Sequence, residues 1–227
     1  MKQELIAKFV RYCEDNFDLK EQNLLPPYQS LSVCIIDCVY SLRTKYYKIT
    51  VPVIERYASK FLESNKYKRG ETLEQFLKNI ELSGGCDKFA TDILSNKQKL
   101  NDIPKSMVCS ELARKLLLLN IHTKEDFENF KSVELLEIVI RSVKGIGDAA
   151  LNYLFMLAGD SNRCKPDVHL KRCITNVCGY EMTNSECQKL MEESVKILNL
   201  KYPKLTVASL DNIIWKVYQA KTIKTVK

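Results

Sequence analysis

Glycine and proline are scarce in this 227-residue chain, at 7 and 6 residues. A β sandwich or barrel that turns every ~8 to 12 residues needs more of both, so their shortage points to helices. No apolar run reaches the ~18 residues that a membrane-spanning helix requires, and no membrane partner is expected. No block of about five or six like charges marks a basic or acidic arm. No segment is of low complexity, and no period of ~20 to 50 residues recurs, which argues against a solenoid. The nine cysteines include no CxxC pair. Their odd number argues against both a disulfide framework and a zinc ribbon.

What the chain does carry is an excess of cations. Lys plus Arg is 35 against Asp plus Glu 28, a formal net charge of +7, which suits a polyanionic partner. The basic residues are spread along the chain, so any patch has to be assembled by folding. The first residues, MKQELIAKFVRYCEDNF, are amphipathic and charged, without the apolar stretch of a signal peptide. The expectation is a cytoplasmic protein, nucleoid-associated in a prokaryote, with reduced thiols. Most of its cysteines would then be small buried apolar side chains.

Apolar residues recur at helical spacing almost throughout, giving about ten helical segments and no alternating strand. Leu5, Phe9, Val10 and Cys13 line one face of a first helix. After the break at Pro26-Pro27, the stretch Leu31 to Tyr40 is apolar nearly all round and predicts a helix buried on most sides. Ser41 to Thr50 reads as a polar and aromatic connection, with Pro52 in the first turn of the helix that follows. Thr72 with Gln75 and Thr183 with Glu186 have capping-box spacing. Thr123, Ser132, Asp167 and Thr206 stand where further N-caps are needed. The longest loop is expected between Cys86 and Pro104. Trp215 and Asp211 read as part of a packing segment, Trp215 in the core.

The informative segment is Ser132 to Asn176. Two helices are joined there by Val143-Lys144-Gly145-Ile146-Gly147, a turn so tight that its glycines are expected to take backbone angles closed to other residues. The amides of Gly145 to Gly147 would crown the start of the next helix, where free N–H groups and the helix dipole suit a phosphate. Ile146 would tuck between the helices and Lys144 would add a positive charge. An ordinary interhelical turn reads the same way. One helix later, Lys165-Pro166-Asp167-Val168-His169 puts a carboxylate at a helix mouth, a residue that N-capping alone also explains.

The combination VKGIGDAALNYLFMLAG followed by KPDVHLKR resembles the helix-hairpin-helix DNA glycosylase superfamily, the endonuclease III-like group. The resemblance is specific over residues 132–176 and diffuse from about Pro27 to Tyr218. It implies an all-α fold of two helical subdomains flanking a cleft. Residues 27–158 would form a barrel-like subdomain ending in the helix-hairpin-helix at 132–158, and residues 1–26 with 159–227 the second subdomain. Gly145, Ile146 and Gly147 match the hairpin, and Asp167 matches the catalytic acid. Members that cut the strand through a Schiff base carry Lys two positions after the second glycine, where this chain has Ala149. The resemblance therefore implies a monofunctional enzyme that releases a damaged, mismatched or modified base by way of Asp167 and water.

Several members bind an iron–sulfur cluster, but Cys164, Cys173, Cys178 and Cys187 do not have the required spacing, so no metal or cofactor is expected. Base flipping needs a wedge and a pocket. The resemblance places the wedge in Ser41 to Thr44, with Arg43 or Leu42 as the wedge and Tyr40 lining the pocket. His169 lies roughly 200 degrees around a helix from Asp167 and reads as a proton shuttle or a structural histidine. The expected partner is double-stranded DNA, bound by a monomer. The alternatives are a catalytically inactive DNA-binding or damage-sensing protein and a helical protein-interaction domain.

Overall fold

Ten consecutive residues of one helix, Leu31 to Tyr40, are buried in the computed structural model, which describes residues 2–20 and 28–224, the side chains of 221–224 excepted. This helix is α2, Leu31–Ser41, and it packs against four others. These are α3 (Tyr46–Phe61), α4 (Leu73–Leu82), α6 (Lys105–Leu117) and α9 (Asp148–Leu157). The short α5 (Cys86–Lys88), a π turn at Phe89–Ile93, α7 (Lys124–Glu128) and α8 (Val133–Arg141) complete this part. The chain ends supply α1 (Gln3–Asn16), α10 (Val168–Cys178), α11 (Asn184–Leu198) and α12 (Val207–Lys224). The fold is all-α. The strands among the described residues are a two-residue pair, β1 (Lys99–Leu100) and β2 (Ile103–Pro104).

The chain divides into two units, Pro27–Ala158, here the middle unit, and Met1–Pro26 with Gly159–Lys227, the terminal unit. The Pro26-Pro27 break lies outside the described residues. In the terminal unit, α1 packs on α10 and α11, and α12 on the same two. Phe9, Cys13, Cys173, Leu190 and Ile214 are buried in its core.

Side-chain caps set half of the twelve helix starts among the described residues. The Thr72–Gln75 and Thr183–Glu186 capping boxes are both closed, and Thr123 forms a third with Asp126. The Ser132 hydroxyl accepts from the Leu135 amide, and that of Thr206 from the Ser209 amide, 3.1 Å. Two expectations need correction. Residues 41–50 are not one connection, because α3 already begins at Tyr46, and Pro52 is its seventh residue rather than part of its first turn. The carbonyl that Pro52 leaves without an N–H belongs to Lys48, which is exposed, so the helix tolerates the proline. Nor is 86–104 a plain loop. Asn101 and Asp102 both take positive φ, 46° and 69°, and join β1 to β2 as a two-residue hairpin turn. Asn and Asp accept that conformation more readily than other non-glycine residues.

A helix with no wet side has to satisfy its polar atoms internally. Asp37, fully buried on α2, accepts from the hydroxyls of Tyr28 (3.0 Å), Tyr46 (2.8 Å) and Tyr153 (3.1 Å). Burial, and then the neighbouring Asp37 carboxylate, push all three phenols up from their ordinary pKa. The Cys34 and Cys38 thiols donate to the Leu157 and Ala150 carbonyls of the chain at α9. Seven of the nine cysteines are buried and all nine are free. Asp37→Ala is expected to strand three hydroxyls at about 1 kcal/mol or more each, at least about 3 kcal/mol in all. Urea denaturation measures it; a loss below about 1 kcal/mol would mean the phenols are served by other groups.

Candidate functional site

The turn between α8 and α9 is built on one glycine. Gly145 has φ +101°, whereas Gly147, the N-cap of α9, has φ −103° and is open to any residue. This corrects the expectation that the glycines act alike. Val143 and Ile146 are buried and Lys144 is exposed. The Ile146 amide donates to the Val143 carbonyl, 3.1 Å. The amides of Gly145 and Gly147 have no acceptor among the described residues. Arg141 is taken up by Glu137, 3.3 Å, and Asp148, 3.2 Å. Lys144 has no ion-pair partner among the described residues, so it is the cation this turn has to offer an anion.

Two other tips lie beside this turn. The β1–β2 hairpin runs underneath, so that a Cβ on Gly145 would sit 3.5 Å from the Leu100 Cβ. Next to Leu100, the Asn101 side-chain oxygen accepts from the Arg43 guanidinium, 3.2 Å. Arg43 is exposed in the four-residue link between α2 and α3 and has φ +56°. Leu42 is half-buried. The structure thus joins the glycine turn and the link carrying Arg43 through a hairpin that sequence reasoning took for a loop. The Asn-Asp pair between two apolar residues was the available signal.

Tyr40 is not at the surface. It is fully buried, and its hydroxyl has no hydrogen-bond partner among the described residues. Tyr46 is half-buried and bound to Asp37, while Tyr47 is 60% exposed.

In the terminal unit, Asp167 is the N-cap of α10. One carboxylate oxygen, Oδ1, accepts from the amides of His169 (2.8 Å) and Leu170 (3.2 Å). The other oxygen has no hydrogen-bond partner among the described residues, and the residue is half-exposed. Capping therefore uses half of the group and leaves half for chemistry. The approach to Asp167 is stitched down. Ser161 accepts from the Ala208 amide, 3.0 Å, and Gln188 bonds both the Asn162 carbonyl, 2.7 Å, and the Cys164 amide, 2.9 Å. Pro166 is buried, and the Asp167 amide donates to the Lys165 carbonyl, 2.6 Å.

His169 turns away from its own cap. Its ring meets Trp215 edge to face at 6.4 Å, and burial depresses its pKa against the pull of Asp167. Its Nδ1 is buried without a partner among the described residues. Trp215 is half-buried rather than core. Asp211, read from the sequence as part of a packing segment, is buried on α12, and its nearness to Asp167 was not foreseen. Burial, and then the charge of nearby Asp167, push its carboxyl well above the ordinary range.

The chain belongs to the family described as Domain of unknown function (DUF8548), whose model matches residues 7–219. No curated protein matches it.

The turn geometry makes its two glycines separable. Gly145→Ala is expected to cost about 1–2 kcal/mol, the strain of a left-handed backbone carrying a side chain. Gly147→Ala is expected to cost less, only the preference of an N-cap for glycine, since nothing lies within 4 Å of its added methyl. Equal melting temperatures for the two variants would remove Gly145 as the element that shapes the turn.

Proposed function

We propose that this chain is a monofunctional DNA glycosylase that uses Asp167 and water to release a damaged, mismatched or modified base from double-stranded DNA. The observation that carries the reading is the divided role of Asp167: one oxygen held by two amides, the other without a partner, on a loop tied down on both sides. Breaking a C1′–N bond builds positive charge on the sugar. A fixed carboxylate oxygen stabilises that charge and orients the water that adds to C1′, while the departing base takes up a proton. Ala149 stands where a Schiff-base mechanism needs an amine, so the product is an abasic site in an uncut strand.

DNA affinity on this reading comes from the middle unit. Amides at the start of α9 and Lys144, which has no ion-pair partner among the described residues, receive a backbone phosphate. Arg43, at the exposed tip beside Asn101, is the residue best placed to enter the stack in place of an everted base. A DNA-binding protein without catalysis is the second reading, and the capping bonds of Asp167 favour it, because they account for the residue without chemistry.

One experiment separates the two. Purified protein is incubated with duplexes carrying single lesions and mismatches, and the products are then heated in alkali. Strand breaks appearing only after alkali are expected, and Asp167→Asn is expected to abolish them while keeping DNA affinity within about threefold. Undiminished base release by that variant would take Asp167 out of the mechanism. Lys144→Ala is expected to weaken binding to all sequences alike and to reduce the slope of log affinity against log salt by about 1.

A further inference from the structure

Lys105, the first residue of α6, is 1% exposed. Its ammonium donates to the carbonyls of Tyr40 (3.2 Å) and Leu42 (2.8 Å) and to the side-chain oxygen of Gln98 (3.2 Å). Tyr40 stands in the last turn of α2 and Leu42 is its C-cap, where a helix end leaves carbonyls without amide partners. The third precedes β1, and the Gln98 carbonyl in turn accepts from the Lys105 amide, 2.9 Å. One side chain therefore grips both the link that carries Arg43 and the hairpin that carries Asn101, the two residues that bond each other at the surface.

We propose that Lys105 is a positioning residue for DNA binding, its buried ammonium locking the Arg43 link and the Asn101 hairpin into one platform beside the glycine turn. The proposal rests on the DNA-binding half of the reading above and not on catalysis by Asp167. The Tyr40 carbonyl also accepts from the Thr44 and Thr50 hydroxyls, 2.8 and 3.1 Å. An ammonium brings three donors where a neutral amine brings two, so loss of the proton removes one of the three bonds by which Lys105 ties the link to the hairpin.

The platform consequently has an alkaline limit. Burial lowers the Lys105 pKa to about 8. The titratable groups around it are the Tyr40 ring beneath its Nζ, at 5.6 Å, and Cys109 one turn along α6, with Cys38 and Cys86 beyond. Burial, as the leading cause, pushes the Tyr40 hydroxyl and the Cys109 thiol up, so the amine titrates first. The two consequences have opposite signs. The folded state gives up this proton near pH 8 and the unfolded chain near its ordinary 10.5, so stability rises across that window. DNA affinity falls over the same window.

The test measures binding of the full chain to an undamaged duplex of about 25 base pairs by fluorescence anisotropy from pH 6.5 to 9.5, with urea stability and amide exchange of residues 42–45 in parallel. Wild type is expected to bind about tenfold more weakly at pH 9.5 than at pH 7, while its stability rises and exchange at 42–45 exceeds that of Lys105→Arg at the same pH. Lys105→Arg, which keeps its charge, is expected to flatten the affinity profile. Gln98→Ala serves as the milder variant if the arginine does not fold, and is expected to weaken binding at neutral pH. Affinity that does not change with pH in the wild type overturns the proposal. Absence of DNA binding at every pH overturns the DNA reading instead, and amide exchange then decides whether Lys105 locks the link.

Discussion

Helix α2 has no side that meets water, and the middle unit is arranged around that fact. Each polar atom it carries needs a partner from another segment, and those partners fix where the segments lie. Asp37 gathers hydroxyls from the approach to α2, from α3 and from α9. Two thiols reach carbonyls at α9. The carbonyls at its C-terminal end draw in Lys105 from α6. The surface tips that could meet DNA are short extensions from this buried framework, so their geometry is set by core hydrogen bonds rather than by the tips themselves. A mutation deep in α2 is thus a mutation of the surface as well.

The terminal unit solves a different problem. A carboxylate that is to act on a sugar has to be accessible, oriented and unpaired, while the helix behind it needs a cap. Asp167 meets both demands because a carboxylate has two oxygens, and the two α10 amides occupy only one of them. The neighbouring Asp211 is buried, and burial, followed by the nearby charge of Asp167, raises its carboxyl well above the ordinary range.

On the proposed function, binding and bond-breaking fall to different chemistry in different units. The middle unit offers turns, amides and Lys144, which suit a phosphate backbone and read no sequence. The terminal unit offers one carboxylate. This division explains why loss of Asp167 and loss of Lys144 are expected to separate so cleanly in their effects, one on turnover and the other on salt-dependent affinity.

Much of this was legible in the residues. The helices around Thr72, Thr123, Ser132, Asp167, Thr183 and Thr206 announce themselves because capping is a local interaction within three residues. The burial of α2 could be read from its all-round apolar pattern, and that of the cysteines from their chemistry. The glycine turn and Asp167 stood out because their spacing is short. The hairpin at Asn101, the continuation of α3 through Pro52 and the half-exposure of Trp215 were not legible, since each depends on neighbours far away in the chain. Lys105 and the pairing of Asp211 with Asp167 were hidden for the same reason: a lysine among carbonyls looks like an ordinary surface residue, and two aspartates far apart in the chain look unrelated, until distant segments close over them. The chain by itself determined that the fold is helical and where most of its helices begin, because those choices are made among neighbouring residues. Which charges are buried, which oxygen of Asp167 is spent, and which tips stand together were decided only by tertiary packing, because desolvation and hydrogen-bond partnership exist only once remote segments meet.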